Sequence, residues 1–464
     1  MNGNWKPRAP AAVFAMAILL AGALLACKSK SEGLALSGIV EGVDESAQTL
    51  KVNHRDVPGF MDAMTMTYPV DNPEVLKSIK VGDSIRATVY KGTFRLYNVQ
   101  LAEPAKPGSM QLRPRSPAES FRAPQLASSG NRVALAFGSG KSILVATSVD
   151  DGATFSTPVQ VAEGPVLPLS RHRGPHVAFS GGTIVVTAVV GDTEAKGPHS
   201  HGLPSDGDLF TWRSMDGGKS WTKPVRINDV ATSAREGLHT LVAGPGKQMF
   251  AAWLDLRSGA TRLYGASSRD SGATWSKNIL IYASPGGTIC QCCSPSAAFS
   301  EEGSVEVMWR NALEGTRDLY LSRAADSKQF NPAVKLGMGT WKIDACPMDG
   351  GGMSQVNGRT VTAWRRGEDI FLAEPGQPES RLGSGRDVAL AAGGGKIFAV
   401  WVQGTELKSQ VFNKWSENNR SESRDSEVRT LSGEASVPSV TGLSQGKALV
   451  AWEQGGGISV LSIR

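Results

Sequence analysis

Alternation of apolar and polar residues divides the chain into a short amino-terminal part and a long carboxy-terminal part. Residues 34–103 contain five short alternating segments separated by turn residues. Such alternation predicts strands with one buried face, here the five strands of a small OB-like barrel. Residues 104–122 are rich in proline, charge and serine and are typical of a linker. The chain shows no long amphipathic helical pattern, so the sequence predicts an all-β protein.

From residue 123 the pattern repeats to the end of the chain. An entering strand followed by a second strand, usually with an aromatic end, recurs seven times. Each pair would supply the inner half of one blade, so the repeat predicts a seven-bladed β-propeller over 123–464, with six blades as the alternative.

A turn motif of the form Ser-x-Asp-x-Gly-x-Thr/Ser-aromatic lies at 148–155, 214–221 and 267–275, with a decayed copy at 322–330. Its Ser and Asp side chains can bond the backbone of a tight hairpin, and its Gly can adopt positive φ, so its role is structural. The motif resembles the Asp box of the bacterial neuraminidase (sialidase) repeat family. That resemblance implies a propeller, and the six blades of true sialidases are the reason for the alternative count.

Three methionines stand in a polar stretch of the short part. Met64 and Met66 flank Thr65 on a predicted strand and so project from one face, with Met61 just before them and His54 at the end of the preceding strand. A set of thioethers and an imidazole favours Cu(I) or Ag(I) over Mg, Ca or Zn. The alternative is that these methionines fill the core.

The spacing between His54 and the Met-Thr-Met triplet, within a five-stranded barrel, resembles the periplasmic copper- and silver-binding chaperone domain of an efflux system. The resemblance implies that His54, Met64 and Met66 bind the metal. That family keeps a tryptophan cap three residues before the first methionine, where this chain has Met61 next to Phe60. Either Met61 is a third sulfur ligand, or Phe60 covers the metal less completely.

The first residues predict where the protein is sent. Lys6 and Arg8 precede an apolar run that ends in Leu-Leu-Ala-Cys at Cys27, as in a cleaved export signal over 1–26. The ending resembles the bacterial lipoprotein signal, which implies a lipid on Cys27, a tether over 27–33, and anchoring on the periplasmic side of the outer membrane in a Gram-negative cell. Loss of the two bases lowers the formal charge from +6 to +4, and without basic blocks this excludes nucleic acid as a partner.

In a propeller, the loops that enter the innermost strands and the loops that follow the second strands lie on one face, here called the mouth. The first set corresponds to 170–176, 235–239, 288–295 and 344–353, and the second to 197–202, 253–259, 309–318 and 364–366. The mouth gathers the histidines and cysteines of the propeller and could form a second copper or redox site. For the four cysteines, two disulfides are the preferred interpretation in an exported protein, and a thiolate metal cluster or a redox role is the alternative. The candidates for the second site are His172, His176, His199, His201, His239, Cys290, Cys292, Cys293, Cys346 and Met348.

Arginines and carboxylates of the same face offer a different chemistry, since a guanidinium fork matches a carboxylate. The candidates are Arg235, Glu236, Asp255, Arg257, Arg310 and Arg365. They make a sialidase-like glycan-hydrolysing or glycan-binding propeller the alternative function, although the Arg-Ile-Pro motif of true sialidases is missing and bracing of loops would equally explain the arginines. The preferred function is an envelope lipoprotein that binds Cu(I) or Ag(I) in the barrel. Its propeller would bind a copper-donor or acceptor protein or form the second metal or redox site.

Overall fold

A computed structural model describes residues 33–62, 64–103, 109–114, 116, 118–196, 203–413 and 427–464. The predicted export signal, Cys27, His199 and His201 lie outside these residues. Within them, no helix has the length and apolar character needed to cross a membrane. The fold is all-β and has two units, as the sequence predicts.

The first unit is a five-stranded antiparallel sheet in the order β3-β2-β1-β4-β5. A parallel bridge between Val70 and Leu96 brings the end of β3 to the start of β5 and closes the sheet into a small barrel. The five strands are those expected from the alternation of the sequence, and one 3-10 helix, Pro73–Lys77, lies between β3 and β4. The strands are β1 (Gly33–Asp44), β2 (Thr49–His54), β3 (Met64–Pro69), β4 (Ser84–Tyr90) and β5 (Tyr97–Glu103).

The second unit consists of seven four-stranded antiparallel sheets, so the prediction of seven blades is confirmed. From innermost to outermost strand, blades one to four are β7 (Arg122–Ser129), β8 (Arg132–Ser139), β9 (Ser142–Ser148), β10 (Val159–Glu163); β11 (His176–Ser180), β12 (Thr183–Val190), β13 (Asp208–Ser214), β14 (Val225–Arg226); β15 (His239–Ala243), β16 (Met249–Asp255), β17 (Arg262–Ser268), β18 (Ile279–Tyr282); β19 (Ser296–Phe299), β20 (Val305–Arg310), β21 (Leu319–Ala324), β22 (Val334–Lys335). Blades five to seven are β23 (Gly352–Val356), β24 (Arg359–Arg366), β25 (Asp369–Ala373), β26 (Ser380–Ser384); β27 (Arg386–Gly393), β28 (Lys396–Gln403), β29 (Glu406–Phe412), β30 (Arg429–Ser432); β31 (Ser436–Leu443), β32 (Lys447–Gln454), β33 (Gly457–Ile463), β6 (Ser109–Leu112).

The ring of blades closes in two ways. Innermost strands of successive blades pack on one another, and β31 of the last blade packs on β7 of the first. Strand β6 pairs with β33 and completes the last blade from the amino-terminal side. Part of the expected linker over 104–122 is therefore a propeller strand. This strand has only four residues and is flanked by prolines and arginines, so no alternation of apolar and polar positions is visible there.

Tryptophans fill the propeller core. Trp253, Trp309 and Trp401, each on the second strand of its blade, are among the largest fully buried side chains. Aromatic side chains of this size bury the most apolar surface per residue, and truncating one costs about 3–5 kcal/mol. Packing of this kind holds the blades in register and fixes the loops at the mouth.

The three complete turn motifs adopt the same structure on the loops between the third and fourth strands of blades one to three. In the first, Ser148 Oγ accepts the N–H of Gly152, and Asp150 Oδ1 accepts the N–H of Thr154, at 2.9 Å each. Gly152 has φ +80°. The same contacts recur around Asp216 and Asp270. These side chains stabilise hairpins, which matches the structural role expected from the sequence.

The barrel contacts the propeller on the side of the mouth. Arg55 Nη2 lies 3.7 Å from Glu434 Oε2, and Glu434 belongs to the loop that enters the innermost strand β31. Both side chains are exposed, so this pair contributes little energy. The pair matters for the position of the barrel: Arg55 directly follows His54, so the contact places the end of β2 beside the mouth.

Candidate metal centres

Strands β2 and β3 bring a histidine and two methionines to one face of the barrel. In the register of this antiparallel pair, His54 is directly opposite Met64, and Val52 is opposite Met66. Since side chains alternate along a strand, His54, Met64 and Met66 share the inner face. The His54 side chain is buried, while both methionines are partly exposed. The three predicted ligands therefore lie together near the surface end of the strand pair.

The hydrogen bonds of His54 leave one ring nitrogen available. Its Nδ1 lies 2.8 Å from the carbonyl oxygen of Arg55, which can only accept, so the Nδ1 atom carries the proton. In the neutral form of the ring, the Nε2 atom is then the lone-pair acceptor. It is buried and has no hydrogen-bond partner in the described part of the chain. A neutral imidazole whose other nitrogen is fixed by a carbonyl is the usual state of a metal-binding histidine.

Met61 and Phe60, at the position where the resembling family has its cap, have separate environments. The Tyr68 hydroxyl donates to Met61 Sδ at 3.8 Å, and the Tyr68 ring packs edge-on against His54 with centroids 5.7 Å apart. Burial raises the pKa of Tyr68 to about 12, so its hydroxyl stays a donor at neutral pH. Phe60 stacks on Phe94, with centroids 6.0 Å apart. Met61 thus lies on the histidine side of the barrel, with its sulfur already hydrogen-bonded.

The sulfur atoms of three cysteines lie close together at the mouth, in the loop that enters blade four. The Sγ atom of Cys290 lies 3.1 Å from that of Cys293 and 3.7 Å from that of Cys292, and the last two are 4.0 Å apart. All three are buried, and the partly buried Met348 packs against them. Cys346 is exposed, and all four cysteines are free thiols. The structure therefore holds a cluster of three sulfurs, and the two disulfides preferred from the sequence are absent among these four cysteines.

The three thiols share their protons unequally. Burial opposes ionisation of Cys293, but donation from the Cys290 and Cys292 thiols, the charge of Arg310 and the N–H of Asp349 outweigh it and hold the pKa of Cys293 well below its usual range. The pKa of Cys290 is raised to about 12, and that of Cys292 is raised as well. Among the three thiols, ionisation is therefore most favoured at Cys293.

A second group at the mouth joins one histidine to two carboxylates. His172 Nε2 and Arg171 Nε both lie 2.7 Å from Asp387 Oδ1. The backbone N–H of Asp387 donates to Asp349 Oδ2 at 3.0 Å, while Asp349 Oδ1 is buried without a partner among the described residues. His172 and Asp349 come from the loops that enter blades two and five, and Asp387 lies at the start of β27 in blade six. The placement shows that the predicted mouth does gather residues from distant parts of the chain.

Sequence reasoning did not single out Asp349 and Asp387. Asp387 has φ +57°, a conformation that only Gly and a few short polar residues adopt readily. Ala123 and Val437 have similar φ values at the corresponding bulges of blades one and seven. The loop rule that located the cysteines covers Asp349, in 344–353, but it does not cover Asp387, which lies at the start of β27.

Two further candidate histidines lie side by side in the channel. His176 and His239 have ring centroids 4.4 Å apart, and His239 Nε2 is 3.0 Å from Thr187 Oγ1. Burial lowers the pKa of His239 to about 4, and burial together with neighbouring histidines lowers that of His176 well below its usual value. Both rings are therefore neutral at physiological pH.

Asp255 and Arg257, proposed as catalytic candidates, form a buried brace. The Asp255 carboxylate accepts from Arg257 Nε and Nη2 at 2.8 and 2.9 Å and from Trp253 Nε1 at 2.8 Å. Arg257 also donates to Asp229 at 2.8 Å and lies over the ring of Tyr264. Every polar atom of this pair thus has a structural partner.

The remaining arginine candidates are also engaged. Arg310 is buried and donates to the carbonyl oxygens of Asp349, Arg317 and Arg365. Arg365 donates to Gly367 and Glu368. Arg235 Nε is 3.9 Å from Glu236 Oε1, and burial raises the pKa of Glu236. Arg310 and Arg365 therefore hold loops in place and do not present free guanidinium forks.

Comparison with known proteins gives a family for the barrel. Residues 34–103 match the family model described as copper binding periplasmic protein CusF. No curated protein sequence matches the chain. A match to a periplasmic family supports export of this protein.

Among solved structures, the chain is similar to the Hadza microbial sialidase Hz136, with 13% identity over 82% of this chain and 73% of that one and a TM-score of 0.44. It is similar to a leech intramolecular trans-sialidase, with 12% identity over 94% and 92% and a TM-score of 0.42. It is also similar to polysaccharide lyase Uly1, with 11% identity over 73% and 89% and a TM-score of 0.48. Residues 34–103 are thus a CusF-like copper-binding domain, in a chain whose other described residues form a seven-bladed propeller.

Proposed function

We propose that this chain is an exported, lipid-anchored protein that binds Cu(I), and Ag(I) in its place, through His54, Met64 and Met66. The observation that carries the proposal is the buried Nε2 atom of His54, which has no hydrogen-bond partner in the described residues although Met64 lies directly opposite. A buried acceptor without a partner costs about 1–3 kcal/mol. A metal ion at this position would supply that partner.

The ligand chemistry suits a soft monovalent ion. A neutral imidazole nitrogen and two thioethers carry no charge, so a bound Cu(I) keeps its single positive charge and no ligand proton has to leave. Thioethers also stay intact in an oxidising envelope, where solvent-exposed thiols would pair. The partial exposure of Met64 and Met66 gives the ion a path from solvent to the buried nitrogen.

The propeller's part in this function is that of a platform for copper handling at its mouth. Contact between Arg55 and Glu434 sets the barrel beside that face, within reach of a copper-donor or acceptor protein that docks there. The glycan-hydrolysing alternative has less support, because Arg257, Arg310 and Arg365 are already bonded to protein acceptors. A free guanidinium fork is what recognition of a carboxylate requires.

The test is competition for Cu(I) against a colorimetric chelator under anaerobic, reducing conditions, with the full mature chain. The triple variant H54A/M64L/M66L should lose one copper equivalent relative to the unaltered protein. Met338→Leu is the matched control, because Met338 is 77% exposed in the propeller and should leave the stoichiometry unchanged. Equal copper binding by the triple variant would overturn the proposal. Hydrolysis of a fluorogenic sialoside at an enzymatic rate would overturn the role that the proposal assigns to the propeller.

A further inference from the structure

Cys290, Cys292 and Cys293 place three sulfur atoms around one point. Their Sγ atoms are 3.1–4.0 Å apart, and each side chain is at most 9% exposed. Three sulfurs bound at about 2.3 Å in a plane around one metal would be about 4 Å apart. The cluster therefore needs to open by less than about 1 Å at its narrowest side to take an ion.

We propose that these three cysteines form a second Cu(I) site, separate from the barrel, with the thioether of Met348 as an adjoining soft ligand. Met348 is partly buried against the trio and has φ +51°, a backbone conformation rare for an unbranched apolar residue outside a constrained loop. The loop thus holds a methionine against three thiols at a strained position.

The charge around the cluster favours thiolates with a monovalent ion. Arg310 interacts electrostatically with Cys293, and Arg173 with both Cys292 and Cys293. Arg310 donates only to backbone carbonyls, and Arg173 Nε donates to the backbone carbonyl of Glu236, so these hydrogen bonds leave their positive charges in place. Three thiolates and one Cu(I) carry a net charge of −2, which two guanidinium groups offset. On binding, each thiol that is still protonated releases its proton to solvent.

Copper fits the donor set better than zinc does. Zn²⁺ in structural sites takes four nitrogen or thiolate ligands in a tetrahedron. The trio supplies three thiols, and its neighbour is a thioether, which selects Cu(I). The fourth cysteine, Cys346, is exposed and stands apart from the cluster, although Arg173 interacts with it as well. Cys346 is thus a solvent-exposed thiol that is influenced by the same arginine as the cluster.

The experiment uses the full mature chain in which H54A/M64L/M66L removes the barrel site. Cu(I) is titrated anaerobically against a chelator, and the ultraviolet thiolate-to-copper charge-transfer band is recorded together with X-ray absorption at the copper edge. The proposal predicts that one equivalent of Cu(I) still binds, with a sulfur-only shell. Adding C290S/C292S/C293S should abolish both the copper and the band, whereas adding C346S, the matched control, should leave both intact.

The spectroscopic readout on the H54A/M64L/M66L chain keeps the test decisive even if the cysteine triple variant folds poorly. No bound copper in that chain would overturn the proposal. So would a nitrogen-containing shell, a preference for Zn²⁺ over Cu(I), or recovery of Cys290 and Cys293 as a disulfide from anaerobically isolated protein. Failure of the barrel site would appear separately, as an unchanged stoichiometry when only His54, Met64 and Met66 are replaced.

Discussion

His54 and Met64 face each other across the antiparallel pair of β2 and β3, and the imidazole nitrogen of His54 that lacks a hydrogen-bond partner in the described chain lies on this shared face. The copper-free barrel thus keeps a buried acceptor unpaired. Any ion that binds the folded form alone adds to its stability by mass action, about 2.7 kcal/mol at a free concentration 100 times its dissociation constant. Binding and folding of the barrel are therefore linked.

Replacing the methionines one at a time distinguishes ligands from neighbours. Met64→Leu and Met66→Leu should each weaken Cu(I) binding by more than about tenfold, or about 1.4 kcal/mol, because leucine keeps the volume and removes the sulfur. Met61→Leu should weaken it less, since the Met61 sulfur is engaged by the Tyr68 hydroxyl. Chelator competition measures all three. A larger loss from Met61→Leu than from Met64→Leu would make Met61 a principal ligand.

Asp255 offers a test of the structural role assigned to the arginine-rich face. Asp255→Asn should lower the free energy of unfolding by about 1–3 kcal/mol, because it replaces the buried, charged acceptor of Arg257 by a neutral one and leaves Asp229 as the remaining ion-pair partner. Denaturant unfolding measures this loss. Glu236→Gln is the comparison, and it should change stability little, since burial already disfavours the charged form of Glu236. An Asp255→Asn protein as stable as the unaltered chain would contradict the stabilising role of the Asp255–Arg257 pair.

The His172–Asp387 pair predicts a pH dependence of propeller stability. Burial lowers the pKa of His172, but its hydrogen bond and charge pairing with Asp387, aided by Asp349 and opposed by Arg171, raise the pKa overall. A raised histidine pKa contributes stability that is complete below about pH 6.5 and is lost as pH rises through the folded value. The pKa of Asp387 is lowered, so its contribution is lost only in acid.

The expected result in copper-free protein is that the melting temperature falls further between pH 6 and pH 9 in the unaltered chain than in His172→Gln, because only the former loses the protonated pair. His176, whose pKa is depressed, stays neutral across this range. Thermal unfolding at several pH values measures the difference. Parallel curves for the two proteins would show that His172 does not titrate in this window.

The Asp boxes should affect stability without affecting copper. Asp150→Ala removes the acceptor of the Thr154 N–H and hydroxyl, and should lower the free energy of unfolding by about 1–2 kcal/mol. Asp270→Ala should act alike, because its contacts are the same. Thermal unfolding measures the loss, and copper titration should be unchanged. A box variant that loses copper while staying folded would contradict the structural role.

Local patterns were sufficient to predict most of the fold. Alternation within 34–103 located all five strands of the barrel, and the recurring strand pairs indicated seven blades. Strand β6 was missed because it has four residues and its partner β33 lies at the other end of the chain. A pairing of that kind is set by closure of the ring, which no local pattern encodes.

The sites were predictable to different degrees. His54, Met64 and Met66 lie on adjacent strands, so strand alternation alone brings them together. The Cys-x-Cys-Cys spacing in an exported protein favoured disulfides over a thiolate cluster, because the loop path that decides which sulfurs meet cannot be read from the sequence. Asp349 and Asp387 meet only because blades five and six are neighbours in a closed ring. Carboxylates in loops are too common for their sequence positions to indicate a site.

The most direct test of the account is the Cu(I) affinity and coordination of His54→Ala, measured in a chain in which C290S/C292S/C293S removes the thiol cluster. With His54 present, X-ray absorption should show one nitrogen and two sulfur ligands. With His54→Ala, the nitrogen should disappear and the affinity should fall by more than about 100-fold, beyond what loss of an outer hydrogen bond to a ligand costs. An unchanged affinity and an unchanged spectrum would contradict the assignment of His54 as the ligand that anchors copper in the barrel.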